Sequence, residues 1–352
     1  MHKTPVIAIV GPTGVGKSEV AQLLAKSMGS SVLSADSMQV YRGMDIGTAK
    51  LLPSQRVVPH YGLDLVDPSE VFTAAAYQSY AREVIERLEV SAEGLPPVVC
   101  GGTGLYLRAA LDDFDFADGS ATSSDTTATA ASAQLSQEQQ DLRESYERLH
   151  EQIGTEKLHD LLAARDARSA AAIHPNNVRR VIRALELAEA GQCYADIKSA
   201  FKQRRSHYPT LWVGLTRDRA ELYDHINSRV DQMMGQGLLR EVDALLQRGY
   251  RDALTAAAAI GYKELVPVID AHGVDESTWT DEARLEFAAA VEDIKQASRR
   301  YAKRQLSWFR ADARVHWIDV DNMTAEEVVA RVLKLRDAYN SNCQLKSSKE
   351  QT

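Results

Sequence analysis

The chain has 352 residues, 44% of them hydrophobic and 26% charged, a balance that fits a globular protein and excludes disordered or fibrous classes. Its net charge of -8 excludes a uniformly basic nucleic-acid binder, although local basic stripes stay compatible with that average. The three cysteines, Cys100, Cys193 and Cys343, lack the spacing of a zinc site and read as free thiols, and no run approaches the ~20 apolar residues of a membrane span.

Val6 to Val10 is a short continuous apolar run before a glycine-rich turn, the pattern of a buried parallel strand. A helix is predicted from Lys17, with Val20, Leu23, Leu24 and Ala25 inward. A second strand covers Ser31 to Ala35 and ends at Asp36. Ala74 to Leu88 has helical periodicity, and Pro97 to Cys100 is a third strand ending in Gly101-Gly102. Strands alternating with helices imply a parallel, doubly wound sheet that binds ligands at the carboxyl ends of its strands.

From Ala117 to Ala133 the chain is almost entirely Ala, Ser, Thr, Asp and Gly, which reads as a flexible linker. Helices are expected over Leu142 to Ala190, a strand over His207 to Thr216, and further helices over Arg219 to Arg248, Leu254 to Ile269 and Glu282 to Phe309. The expected fold is therefore α/β, a P-loop-like parallel sheet core flanked by helices. Residues 1–116 and 201–338 form that core, 117–200 a mostly helical insertion and 339–352 a frayed polar tail.

The run Gly11-Pro12-Thr13-Gly14-Val15-Gly16-Lys17-Ser18 fits G-x-x-x-x-G-K-S between a strand and a helix. Such a loop points backbone N–H groups at a diphosphate, sets a lysine on its oxygens and offers the Ser18 hydroxyl to Mg²⁺, with the helix N-terminus adding to the anion site. The motif recognises phosphates and leaves the rest of the ligand open. Val98-Val99-Cys100 does not end in the metal-binding aspartate of a nucleotide hydrolase, so motor and GTPase readings are weakened while a small P-loop kinase stays open.

Asp36 follows a predicted strand, which places its carboxylate at the same sheet rim as a general base or, alternatively, as the cap of a turn with Ser37. Gly101-Gly102-Thr103-Gly104 ends the third strand at that rim, where glycines allow backbone to approach a ligand and Thr103 could donate to it, or where a simple turn precedes the next helix. Two basic stretches stand out. Arg179 and Arg183 share a helix face beside Arg180, opposite Val178, Ile182 and Leu185. Lys295, Arg299, Arg300, Lys303, Arg304 and Arg310 interleave with Tyr301, Trp308 and Phe309, with Leu306 and Trp308 or Phe309 expected to pack inward.

These residues carry a resemblance. The phosphate loop with Thr13, the run from Asp36-Ser37-Met38-Gln39 to Gly47-Thr48-Ala49-Lys50, and Gly101-Gly102-Thr103-Gly104-Leu105-Tyr106 resemble the tRNA dimethylallyltransferase family. His60-Tyr61-Gly62-Leu63-Asp64, His174-Pro175-Asn176-Asn177, Gly261-Tyr262-Lys263-Glu264 and Lys303-Arg304-Gln305 through Trp308-Phe309-Arg310 extend it in family order.

The resemblance implies transfer of a dimethylallyl group from dimethylallyl diphosphate to N6 of adenosine 37, beside the tRNA anticodon, by a cytoplasmic monomer using Mg²⁺. It casts residues 11–18 as the holder of departing pyrophosphate, Asp36 as the base and Arg229 as a second cation. An arginine flanked by Asp224 and Asp231 otherwise reads as a solvated ion pair, and His225 stands where many relatives carry arginine. Thr103, Asp36 and Gln39 would contact an extruded base, with Ser37 and Met38 beside them. Arg179, Arg180, Arg183, Lys263, Arg299, Lys303 and Arg304 would meet the anticodon stem-loop. The Ala/Ser/Thr-rich segment departs from the family pattern.

Overall fold

The computed structural model describes residues 4–90, 95–114 and 137–350, so the expected linker at 117–133 lies outside the described residues. The chain divides into two compact units, one comprising residues up to Leu111 and from Tyr208 onward, the other Asp112–His207.

The larger unit is built on a six-stranded sheet. Its strands are β1 (Val6–Val10), β2 (Val32–Ser34), β3 (His60–Tyr61), β4 (Val98–Gly101), β5 (Thr210–Thr216) and β6 (Val315–Asp319). They run in the order β3-β2-β4-β1-β5-β6, and every pairing is parallel. All five residues of β1 are buried, as a strand covered on both faces requires. The chain leaves β1 towards β2 and β3, returns to β4 beside β1, and continues on the other side through β5 and β6. That reversal places a ligand crevice beyond the carboxyl end of β1.

Helices α1 (Lys17–Met28), α2 (Ala74–Glu89) and α3 (Gly104–Leu111) cover the first half of this sheet. α1 turns Val20, Ala21, Leu24 and Ala25 inward and stops at Gly29, whose φ of 68° closes the helix with a left-handed cap. Two apolar layers result. Ile7, Ile9, Leu24 and Val213 belong to one, Val6, Ala8, Leu33, Tyr77 and Trp212 to the other.

The smaller unit is helical. It contains α4 (Gln137–Arg165), α5 (Ala167–Ala172), α6 (Val178–Glu189) and α7 (Tyr194–Lys202). α4 is broken at Gly154, where φ is 81°. Tyr146, Leu158, Leu162, Val181, Ile182 and Leu185 form its core. α7 is tied back by the Ser169 hydroxyl accepting from Ala195 N at 3.1 Å and by Lys198 donating to Ala172 O at 2.6 Å.

The remaining helices belong to the larger unit: α8 (Arg219–Gly235), α9 (Leu238–Leu246), α10 (Val266–His272), α11 (Asp281–Arg310) and α12 (Ala325–Glu350). Two expectations differ from the structure, and two strands lacked a prediction. The helix expected over Leu254 to Ile269 is irregular with short 3-10 turns until Val266, because Tyr262 and Leu265 are drawn individually into the core. The chain from Asn340, expected as a polar tail, continues α12 to Glu350 in its described part. β3 and β6 had no strand prediction, β3 being two residues long and β6 an edge strand with mixed burial. Among the described residues no helix is long and apolar enough to cross a membrane.

Candidate active site

The phosphate loop wraps the carboxyl end of β1, and its first glycine is dictated by space. Gly11 has φ of 146°, and a Cβ there would lie 2.6 Å from the carbonyl oxygen of Leu215. The loop then delivers Lys17 and Ser18 to the first turn of α1. The Lys17 ammonium donates to Pro12 O at 2.6 Å, which folds it back over the loop. Burial pulls its pKa down to about 8 and the Arg229 charge pulls the same way, while the Asp36 carboxylate opposes both. Cys100, on β4, is itself pushed up to about 11 by burial, so it stands as a neutral thiol.

Arg229 reaches the loop from α8, and its guanidinium donates to Thr13 Oγ1 at 3.0 Å. It is therefore not a solvated partner of Asp224 or Asp231. Asp231 pairs instead with Lys295 at 2.8 Å. Burial lowers the Arg229 pKa and the Asp36 carboxylate raises it. Two desolvated cations thus meet at the phosphate loop, an arrangement that favours a polyanion between them. His225 lies apart from them against Arg217 on the exposed surface.

Asp36 stands just past β2. One carboxylate oxygen accepts from Met38 N at 2.9 Å, so the residue closes a turn and keeps its second oxygen for other work. Thr103 holds the same loop. Its Oγ1 accepts from Ser37 N at 3.1 Å and its own N donates to Ala35 O at 3.3 Å. The Gln39 amide is engaged by protein, accepting from Ser34 Oγ at 2.8 Å and donating to Thr48 O at 3.1 Å.

Thr13, Lys17, Ser18, Asp36 and Arg229 all line one cavity of about 1100 Å³. Ser37, Met38, Gln39, Lys263 and Arg304 line it as well. Its apolar wall comes from Ile226, Val230 and Met233 on α8, Ala259 and Ile260, and Ile294 on α11. The loop Met44–Ala49 is fixed at its edge by Glu241, which accepts from Ile46 N at 2.8 Å and from Tyr262 OH at 2.7 Å.

The other expected residues are placed as follows: Thr103 bonds Ser37 at the cavity's edge, Arg299 bonds Asn227, and Lys303 is exposed on α11. Phe309 is the aromatic that packs inward, while Trp308 stays 41% exposed with its indole against Gly104. In the smaller unit Arg179 and Arg180 are exposed, but Arg183 donates to Glu186 at 2.9 Å, which Arg143 also holds.

Sequence reading gave no role to Gln305 and did not count Arg300 or Tyr301 as cavity residues, yet all three line it. Gln305 is 5% exposed; its Oε1 accepts from Thr13 N at 2.8 Å and its Nε2 donates to Gly102 O at 3.0 Å. The glycines of 101–104 make room for these neighbours. A Cβ on Gly102 would fall 2.1 Å from Gln305 Nε2, and one on Gly104 2.0 Å from Trp308 Nε1. The only advance signal was the four-residue beat of Tyr301, Gln305 and Phe309 along α11, with basic residues between them.

A parallel sheet with a phosphate loop, two desolvated cations and a carboxylate on one cavity defines a P-loop α/β protein that handles a phosphorylated ligand next to an acid–base group. The comparisons make the class specific. The family model for IPP transferase matches residues 39–312 and that for isopentenyl transferase residues 4–56. The chain belongs to the tRNA dimethylallyltransferase family, in which many curated relatives carry that name.

It is 44% identical to the tRNA dimethylallyltransferase of Geobacillus thermodenitrificans over 90% of each chain. To the enzyme of Bacillus subtilis it is 42% identical, over 90% of this chain and 91% of that one. Among solved structures, the tRNA isopentenylpyrophosphate transferase of Bacillus halodurans matches with TM-score 0.64 and 38% identity, over 99% of this chain and 100% of that one. A eukaryotic dimethylallyltransferase acting on tRNA matches with TM-score 0.73 and 26% identity, over 96% of this chain and 80% of that one.

Proposed function

We propose that this chain transfers the dimethylallyl group of dimethylallyl diphosphate to N6 of the adenosine next to the tRNA anticodon, releasing pyrophosphate. The observation that carries the reading is the shared cavity of Asp36 with Lys17 and Arg229, in a chain of this family. The C1–O bond of the allylic diphosphate breaks as negative charge builds on the departing pyrophosphate. Lys17, Arg229 and the loop N–H groups stabilise that charge in a site where water screens it little. Adenosine N6 is a weak nucleophile because its lone pair is delocalised into the ring. Asp36 accepts the N6 proton as the new C1–N bond forms.

A Mg²⁺ ion fits this site as a diphosphate-bound cation. Mg²⁺ keeps waters and substrate phosphates as most of its ligands, and Ser18 offers a cavity-lining hydroxyl beside Lys17. When bound it would add Lewis-acid stabilisation of the leaving group.

The tRNA is taken up by exposed cations. Arg179 and Arg180 on α6, and Arg300, Lys303 and Arg304 on α11, present unburied charge suited to phosphates. The test is incubation with labelled dimethylallyl diphosphate and bulk tRNA, followed by digestion to nucleosides. Label in N6-dimethylallyladenosine, with pyrophosphate released only when tRNA is present, is the expected result. ATP consumption without tRNA and no labelled nucleoside would replace this reading with a small-molecule kinase.

A further inference from the structure

Gln305 belongs to α11, yet its side-chain amide bonds backbone in two loops outside that helix. Thr13 N lies in the phosphate loop, and Gly102 O precedes Thr103, whose hydroxyl holds Ser37 beside Asp36. Tyr301, one turn earlier, is pushed up to about 12 by burial and sits against both Thr103 and Gln305. A single buried amide therefore joins the loop that holds the donor to the 101–104 loop, which in turn holds the Asp36 loop through Thr103 and Ser37. A carboxamide offers, at any pH, an acceptor and a donor side by side for an N–H and a C=O that both need partners. The missing Cβ at Gly102 lets the amide in, since a side chain there would occupy its place.

We propose that Gln305 is a positioning residue that fixes the separation of the diphosphate cradle from the Asp36 loop and so directs the allylic carbon to N6 rather than to water. The proposal rests on the prenyl-transfer reading above. When the two loops lose registration, C1–O cleavage can still proceed while N6 is out of place. Water then attacks C1, the C–O bond to pyrophosphate breaks, and dimethylallyl alcohol forms as the proton of the attacking water passes to solvent.

The experiment compares wild type with Gln305→Glu and Gln305→Met, measuring pyrophosphate and labelled nucleoside in parallel, both Michaelis constants, and thermal unfolding. Wild type should give close to one pyrophosphate per alkylated base. Each variant should lose roughly 10- to 100-fold in kcat for alkylation, the scale of small misplacements of reacting groups, with both KM values within about threefold. Each should also release more pyrophosphate than it alkylates base. In Gln305→Glu the coupling should recover as pH falls and a protonated carboxyl can again donate to Gly102 O, whereas Gln305→Met should not recover. A ratio that stays at one in both variants, or activity lost only in proportion to native protein, would overturn the proposal. Absence of transfer by wild type would instead remove the prenyl-transfer reading itself.

Discussion

The cations of this protein fall into two populations that differ in surroundings rather than in number. Lys17 and Arg229 are drawn into the cavity, where burial pulls both pKa values down and each has an oxygen partner of the phosphate loop. Arg179, Arg180, Lys303 and Arg304 stand exposed on helices. Desolvated charges in fixed places act strongly over a short distance and are little affected by salt, which suits a leaving group whose charge appears only during reaction. Solvated charges are individually weak, screened beyond about 8 Å at physiological salt, and suited to an extended polyanion. One chain thus uses the same residue types for chemistry and for capture, and burial decides which.

The largest expected effect breaks the buried set. Lys17→Met should lower single-turnover alkylation on the order of 10³-fold, the upper end for loss of one transition-state donor, and leave tRNA affinity near wild type. An equal loss in tRNA binding would erase the distinction between the two populations. Asp36→Asn comes next, with tRNA binding kept and turnover down at least ~100-fold as a general base is lost. Near-normal turnover would take Asp36 out of that role.

Acidity sharpens the contrast at intermediate size. Above pH about 8 the ligand-free site loses the Lys17 charge, so kcat/KM for dimethylallyl diphosphate should fall, approaching tenfold per pH unit. The folded pKa lies below the ordinary 10.5, so the unfolded chain binds more protons between about 8 and 10.5. The Lys17 contribution to stability should therefore rise with pH across that window and be flat below it. In Lys17→Arg, which stays charged, both the fall in kcat/KM and the rise in stability should flatten.

The smallest effect belongs to the exposed set. Replacing Arg179 and Arg180 together by Ala should weaken tRNA binding roughly 3- to 10-fold at physiological salt and reduce the log–log salt slope by about 1.4 to 1.8, with KM for the diphosphate unchanged. Titrations at several salt concentrations would read this directly. An unchanged slope would mean that these arginines face solvent only.

Much of the fold was legible because its signals are local. A five-residue apolar run before a glycine loop has the pattern of a buried strand, and the alternation of strands and helices up to Gly101 implied a parallel α/β sheet. The phosphate loop was legible for the same reason, since its glycines, Lys17 and Ser18 act within one turn of backbone. β6 escaped because an edge strand of mixed burial has no such run, and the stretch before Val266 escaped because its residues are held one by one by distant partners.

At the site, sequence alone determined which residue types are present: a phosphate loop, Asp36 after a strand, and a helix dense in cations. Only tertiary structure decided which of them meet. It put Arg229 on Thr13, turned Thr103 to Ser37, committed Arg183 to Glu186, and brought Gln305 across 292 residues of chain to the phosphate loop. Local geometry is written in neighbouring residues, whereas desolvation and long-range hydrogen bonds exist only once distant segments pack.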